Sequence, residues 1–274
     1  MLKRISLTVK HDSEQAEEIA RKVEAFLRLH EVDVSRNGIR PDDEAVVVVG
    51  GDGTLLHVAA KAFERDLPLL GINAGGLGFL TEVHTDEMDE ALERLVTGSF
   101  ELDKRMVLAV SVQDEKGGVV RQYTALNEAV ITKGALSKII RINTWADGSF
   151  LTTYRGDGLI ISTATGSTGY NLSAGGPIIH PKIEVMVLTP ICPFALSARP
   201  LILSGSSTIK VEVQDIQQEV CLDIDGQTGI ELQKGYVITV SRQKGYLKLV
   251  KSPHRDYFTI LREKLGWTRA IPIP

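Results

Sequence analysis

Two periodicities divide the chain. Through the first hundred residues, short apolar runs alternate with stretches whose apolar positions recur every three or four residues. ISLTV near 5–9 is followed by SEQAEEIARKVEAFLRLH, in which Ala16, Ile19, Ala20, Val23 and Phe26 share one helical stripe and Ser13 is placed to cap the first turn. AVVVVG at 45–50 is the continuous β-branched run that a strand buried on both faces needs, and LLHVAAKAF, LPLLGI at 67–72 and MDEALERLV continue as helix, strand and helix. Strand alternating with helix predicts a parallel α/β lobe.

After Phe100 the period shortens to two. MVLAVSV, the turn DEKGG, VVRQYTALNEAVIT and KIIRINTWADGSFLTTY read as strands, with Asp147-Gly148 as a two-residue hairpin turn. LILS, TIKVEVQ, EVCLDIDG, YVITVSR and YLKLV extend the series, which predicts a mainly β, sandwich-like second lobe. Helical spacing returns in HRDYFTILREKLGW, where Tyr257, Ile260, Leu261 and Leu265 share one side. The expected organisation is an α/β lobe over 1–102, a β-rich lobe over 103–253, and a C-terminal helical segment over 254–274 returning to the first lobe.

Composition narrows the partners. At about 100–200 residues per domain, 274 residues and 43% hydrophobic content fit two lobes. Lys+Arg of 31 against Asp+Glu of 35 leaves a net charge of -4, so no basic field exists to hold a nucleic acid. No segment approaches the roughly 20 apolar residues of a membrane span. The two cysteines, Cys192 and Cys221, fit a reducing compartment, and the expected location is cytoplasmic.

Candidate chemistry begins at VVVVGGDGTLLHVAAKAF, where Gly50, Gly51, Gly53 and Thr54 form a phosphate-compatible loop between a buried strand and a helix. It is neither a Walker A loop nor the G-x-G-x-x-G fingerprint. Asp52 within it repels phosphate unless it binds a hydroxyl, faces a metal or removes a proton; the competing reading is an Asx-turn that caps the helix. LPLLGINAGGLGFL places Asn73, Gly75, Gly76 and Gly78 at a second strand end, predicting that both turns open on one crevice. YRGDGLIISTATGSTGYNLSAGGPIIHP, at 154–181, concentrates hydroxyls and glycines suited to a molecule with ribose and phosphate groups, or else forms a surface hairpin loop. Asn127 and Glu128 interrupt an apolar strand and read either as site residues or as a polar strand end. Lys138 and Arg155 read equally as solvated strand charges. The six histidines match no metal-binding spacing.

Together GGDGT at 50–54, GINAGGLGFL at 71–80, LNEAVI at 126–131, DGLIISTATGSTGYNLSAGGPIIHP at 157–181, RPLIL at 199–203, DGQ at 225–227 and YFTILREKLGW at 257–267 resemble the NAD kinase family. Two departures are visible, Ala164 where the family usually carries proline and Gly169 where alanine is usual. The resemblance implies a Rossmann-like first lobe, a β-sandwich-like second lobe and ATP-dependent phosphorylation of the adenosine-ribose 2'-hydroxyl of NAD. It further implies Asp52 as the base, Gly53 against the dinucleotide, and Asn127 and Glu128 on its nucleosides. Lys138, Arg155, Asp157, Thr165, Thr168, Gly169, Tyr170, Asn171, Leu172, Ser173 and Gln227 complete the implied NAD site. Asp157 is implied to come from a neighbouring subunit of a homodimer or tetramer, and Mg2+ to arrive with ATP rather than on protein ligands. A lipid kinase sharing GGDGT and a non-catalytic NAD(P)-binding regulator are the alternatives.

Overall fold

The computed structural model describes residues 1–36, 38–76, 78–214 and 218–267. Residues 268–274 of the predicted C-terminal segment and Leu77 of the second glycine-rich turn lie outside them. The chain divides into two compact units, residues 1–104 with the chain from Leu247 onward, and residues 105–246.

The first unit is built on a sheet of β1 (Arg4–Val9), β2 (Asp33–Ser35), β3 (Ala45–Gly50), β4 (Pro68–Asn73), β5 (Leu102–Arg105) and β18 (Leu247–Val250), in the order β2-β1-β3-β4-β18-β5. Neighbours from β2 to β18 run parallel. Because side chains alternate across a strand, Val47 and Val49 join Ile5, Leu7, Leu70 and Ile72 in a core with α1 (Glu14–Leu29) and α3 (Met88–Thr97). Val46 and Val48 turn to the opposite face, where Leu55 of α2 (Asp52–Glu64) reaches Gly71 of β4. Ser13 caps α1 as its sequence predicts, Oγ accepting the Ala16 N–H at 3.2 Å.

One assignment changes. The alternating pattern of YLKLV groups it with the antiparallel strands before it, which put the expected lobe boundary at 253. Instead Lys248 and Leu249 pair in parallel with Pro68 and Leu69, and β18 fills the place between β4 and β5. Leu247, Leu249 and Val250 are buried there, each stabilising the sheet by about 1.5–3 kcal/mol. Beyond it, α5 (Tyr257–Leu265) starts at an Asp256 cap, while Ser252 Oγ and Arg255 Nε both donate to the Glu87 carboxylate at 2.5 and 2.6 Å.

The second unit has two six-stranded antiparallel sheets. One orders β10 (Ser149–Gly156), β9 (Ile140–Ala146), β14 (Ile209–Gln214), β17 (Val237–Arg242), β6 (Leu108–Gln113) and β7 (Val119–Ala125). The other orders β13 (Leu201–Ser204), β12 (Val185–Ile191), β11 (Gly158–Thr163), β8 (Glu128–Lys133), β15 (Val220–Ile224) and β16 (Thr228–Glu231). Inward residues of both, among them Val110, Ile142, Val211 and Val240 from the first and Ile131, Leu159, Leu188 and Leu222 from the second, share one apolar core. Asp147 and Gly148, at φ 50° and 80°, form the predicted two-residue turn. VVRQYTALNEAVIT breaks at Leu126–Asn127, the polar strand end its sequence allowed, and sends β7 and β8 to different sheets.

Candidate functional site

In the first unit the two glycine-rich turns are neighbours because their strands pair, Gly50 opposite Asn73. α2 begins at Asp52 with Gly51 as its N-cap, and no side chain caps it. Asp52 therefore does not form the local cap its sequence allowed. Its carboxylate reaches the other turn, Oδ2 accepting the Phe79 N–H at 2.8 Å and Oδ1 the N–H groups of Leu80 and Thr81, both at 3.0 Å. Thr81 Oγ1 donates to Oδ1 at 3.2 Å and itself accepts from Asn73 Nδ2 at 3.0 Å. The buried Asn73 also closes its own turn, bonding Gly76 O and Gly75 N. Oδ1 is thus occupied three times and Oδ2 once, which leaves Oδ2 the oxygen with an open lone pair. Gly78 permits this arrangement, since a Cβ there would overlap Asp52 Oδ1 and Thr81 Oγ1.

The second unit gathers polar groups where β8 begins. Asp225, at φ 53° in the turn between β15 and β16, accepts the N–H of Leu126 at 2.7 Å through Oδ2, and those of Asn127 and Glu128 at 2.8 and 2.9 Å through Oδ1. The break after β7 is therefore held from nearly a hundred residues away. Asn127 Oδ1 and Glu128 Oε2 are buried without a hydrogen-bond partner among the described residues. Ser6 Oγ and Thr144 Oγ1 share that condition, but each stands alone. Burial first, then the Asp225 and Asp223 charges, push the Glu128 carboxyl up to about 8 against the opposing Tyr170 N–H bond. Burial likewise raises Asp225.

The hydroxyl-rich segment folds inward and is not a surface loop. Ser162, Thr163, Thr165 and Ser167 are buried. Thr163 Oγ1 donates to Leu126 O at 2.7 Å, and Ser167 Oγ exchanges bonds with Ile179. Asn171 has no free polar atom, its Nδ2 donating to Ser167 O and Pro177 O and its Oδ1 accepting from Thr189. Thr168 Oγ1 donates to Thr165 O at 3.3 Å. Tyr170 opens the short helix α4 (Tyr170–Ser173), with Tyr170 and Ser173 exposed and Leu172 half-buried. Gly169 adjoins Glu128, since an added Cβ would stand 3.3 and 3.4 Å from its carboxylate oxygens. Ala164 packs with Ile179 and Val187.

Lys138, Arg155, Asp157 and Gln227 are distributed differently. Register pairs Ser162 with Glu128 but Gly158 with Thr132, so Asp157 lies one strand length from Glu128, about 17 Å at 3.4 Å per residue. Around that far end Asp157 faces Lys133 at 3.7 Å, and the exposed Arg155 lies over Phe194 at 4.8 Å. Lys138 is exposed, its backbone held by the Gln218 amide. Gln227 is exposed at the Asp225 turn. The motif reading missed Asp225 and Thr81 as organisers, although the Asp225-Gly226 pair between alternating runs is a hairpin signal.

Among the described residues no three His, Cys, Asp or Glu side chains are grouped to hold a metal, and no helix is long and apolar enough to cross a membrane. The family model of the ATP-NAD kinase N-terminal domain matches residues 10–100, and that of the C-terminal domain residues 126–252. The chain is 48% identical over 232 residues to an NAD kinase of Geotalea daltonii, spanning 85% of this chain and 81% of that one. Among solved structures, the yeast NADH kinase complexed with NADH superposes with a TM-score of 0.88 at 25% identity, covering 100% of this chain and 90% of its own. An Archaeoglobus fulgidus NAD kinase in complex with ATP does so at 0.78 and 28% identity, covering 95% and 99%. With both family models matched in order across most of its length, the chain belongs to the NAD kinase family of enzymes.

Proposed function

We propose that the chain transfers the γ-phosphoryl group of Mg-ATP to the 2'-hydroxyl of the adenosine ribose of NAD. The observation that carries this reading is the adjacent pair of buried, unpartnered oxygens on Asn127 and Glu128. A buried acceptor without a donor costs about 1–3 kcal/mol, and a nucleoside supplies the amino and hydroxyl donors that offset it. An acyl chain supplies no donor to either oxygen, which disfavours the lipid kinase alternative. Asp52 then has a chemical task. Its Oδ2 takes the hydroxyl proton as the ribose oxygen bonds to the γ-phosphorus, the bond to the bridging oxygen breaks, and ADP leaves. A non-catalytic regulator needs that carboxylate only as a tie between the two turns. Gly50, Gly51, Gly53 and Thr54 are assigned to the phosphates, and Mg2+ is part of the ATP substrate.

Thr165, Thr168, Gly169, Tyr170, Leu172, Ser173 and Gln227 are assigned to NAD, whereas the fully bonded Asn171 positions that segment. The first unit is read as Rossmann-like and the second as a β-sandwich. The strand length separating Asp157 from Glu128 supports a site completed by another copy, with Lys138, Arg155 and Asp157 serving a homodimer or tetramer. A cytoplasmic location accords with the unpaired Cys192 and Cys221.

Incubation with Mg-ATP and NAD should produce NADP, and its absence would sink the reading. For the shared site, mixing Asp52→Asn with Asp157→Ala chains under subunit exchange should restore activity to as much as about one site in four for a dimer. Continued inactivity after exchange is verified by mass would place Asp157 within its own chain's site.

A further inference from the structure

Two buried polar side chains, Asn73 at 2% and Thr81 at 0% exposure, join the Asp52 carboxylate to the sheet. Burial is unfavourable for such groups unless their hydrogen bonds are made, and theirs are. Asn73 Oδ1 accepts the Gly75 N–H at 2.8 Å, so Nδ2 donates to Gly76 O and to Thr81 Oγ1, both at 3.0 Å. Turning the amide over would set its oxygen against Gly76 O and its NH2 against the Gly75 N–H, which fixes its orientation. A threonine hydroxyl carries a single hydrogen. Because Thr81 Oγ1 accepts from Asn73, that hydrogen is directed to Asp52 Oδ1 at 3.2 Å. Donation therefore runs one way, from the end of β4 through Thr81 to Asp52.

The backbone sets the spacing of this chain. Asn73 N–H donates to Val83 O at 2.8 Å, and Val83 N–H donates to Gly71 O at 3.2 Å. Gly71 lets the two segments touch, since a Cβ there would stand 2.9 Å from Thr81 Cα. The N–H groups that hold Asp52 all come from Phe79, Leu80 and Thr81, so they travel with the turn they belong to. Among the described residues the Thr81 hydroxyl is the side-chain donor on Asp52, and through Asn73 it refers the carboxylate to β4 instead. The two oxygens of a carboxylate are chemically equal, and only fixed donors make one of them the base.

We propose that Asn73 and Thr81 are positioning residues for phosphoryl transfer, their one-way hydrogen-bond chain filling Asp52 Oδ1 so that Oδ2 is the oxygen presented to the acceptor hydroxyl. The proposal rests on Asp52 as the base and adds which side chains select its reacting oxygen. Thr81→Val keeps the shape and removes the hydroxyl, so kcat should fall about 10- to 100-fold with the KM values for NAD and ATP within about twofold. Thr81→Ser restores the donor and should return kcat to within about threefold of wild type. Asn73→Asp exchanges the donor for an acceptor and draws the Thr81 hydrogen away from Asp52, so kcat should fall as far with Thr81 intact; if that variant does not fold, Thr81→Val decides alone. In an Asp52→Asn background, Thr81→Val should cost less than about twofold, because the group it positions is already disabled. Wild-type kcat in Thr81→Val, a loss that serine does not restore, or the same loss in the Asp52→Asn background overturns the proposal. Amide exchange on the ligand-free protein gives a readout independent of turnover: the Phe79, Leu80 and Thr81 N–H groups should exchange about tenfold or more faster in Thr81→Val. If the wild type forms no NADP, the phosphotransfer reading falls; faster exchange at those amides still supports the tie on Asp52, and unchanged exchange removes the tie as well.

Discussion

Asp52 and Glu128 are both carboxylates beside a glycine, and their environments are opposite. Asp52 is half-buried and receives four hydrogen bonds from Phe79, Leu80 and Thr81. Glu128 is 6% exposed, has an oxygen with no partner among the described residues, and faces the like charges of Asp225 and Asp223. A carboxylate in a ring of donors is held in place; one starved of donors waits for a ligand to complete it. The contrast separates the carboxylate to which we assign proton transfer from the one to which we assign nucleoside binding.

The largest effect expected is at Asp52. Asp52→Asn keeps an acceptor for Leu80 and Thr81, loses the Phe79 bond, and cannot take a proton, so kcat should fall about 10²- to 10⁴-fold while NAD affinity changes little. A loss below about tenfold would reduce Asp52 to a tie between two turns. Gly78→Ala attacks the same carboxylate from outside by pushing a methyl into Oδ1. A displacement of about 1 Å at a reacting group costs on the order of 10² in rate, so kcat should drop by that order with the Asp52 side chain untouched. Activity near wild type would show that the position of Asp52 is not what Gly78 protects.

Glu128 should respond to pH. Its folded pKa of about 8 stands above the ordinary 4.5, so between those values the folded state holds a proton that the unfolded state has released. Stability of the ligand-free protein should therefore be greatest near pH 5, fall as pH rises, and level off above about 8, with Asp225 contributing in the same sense. Glu128→Gln should flatten that slope in thermal melts while weakening NAD binding; an unchanged slope would mean that the carboxyl ionises freely. The smallest effect expected is Gly169→Ala, whose Cβ would meet Gly166 O at 3.2 Å and Glu128 at 3.3 Å. A few tenths of an ångström of adjustment accommodates it, so Tm should move by only a few degrees and NAD affinity by no more than about tenfold. Loss of folding would show the segment to be rigid around Gly169.

Periodicity revealed most elements because each unit's core faces follow it. The β-branched run at 45–50 is buried on both sides, and the period of two after Phe100 corresponds to two sheets around one core. Period reports which face is buried but not which neighbour a strand takes, so the place of Leu247–Val250 and the departure of β7 and β8 to different sheets were not legible, whereas the polar strand end at Asn127 was. The site divides similarly. GGDGT and the Thr/Ser/Gly segment stand out locally, whereas Asp52 meets its partners 27 to 29 residues away and Asp225 meets its own 97 to 99 residues away. Contacts at that separation depend on the completed sheets.

The place of β18 fixes an order of assembly during synthesis. The strand that separates β4 from β5 is translated after all of residues 105–246, so the second unit can close while the first still lacks a strand. At about 5–20 residues per second, the roughly 140 residues between them occupy a ribosome for about 7 to 30 s. During that interval β4 has an open edge and β5 lacks its neighbour, a surface suited to chaperones and prone to intermolecular pairing. The half of the enzyme that carries Asp52 matures last, and a nascent chain released before Leu247 would retain a finished β unit joined to an incomplete sheet.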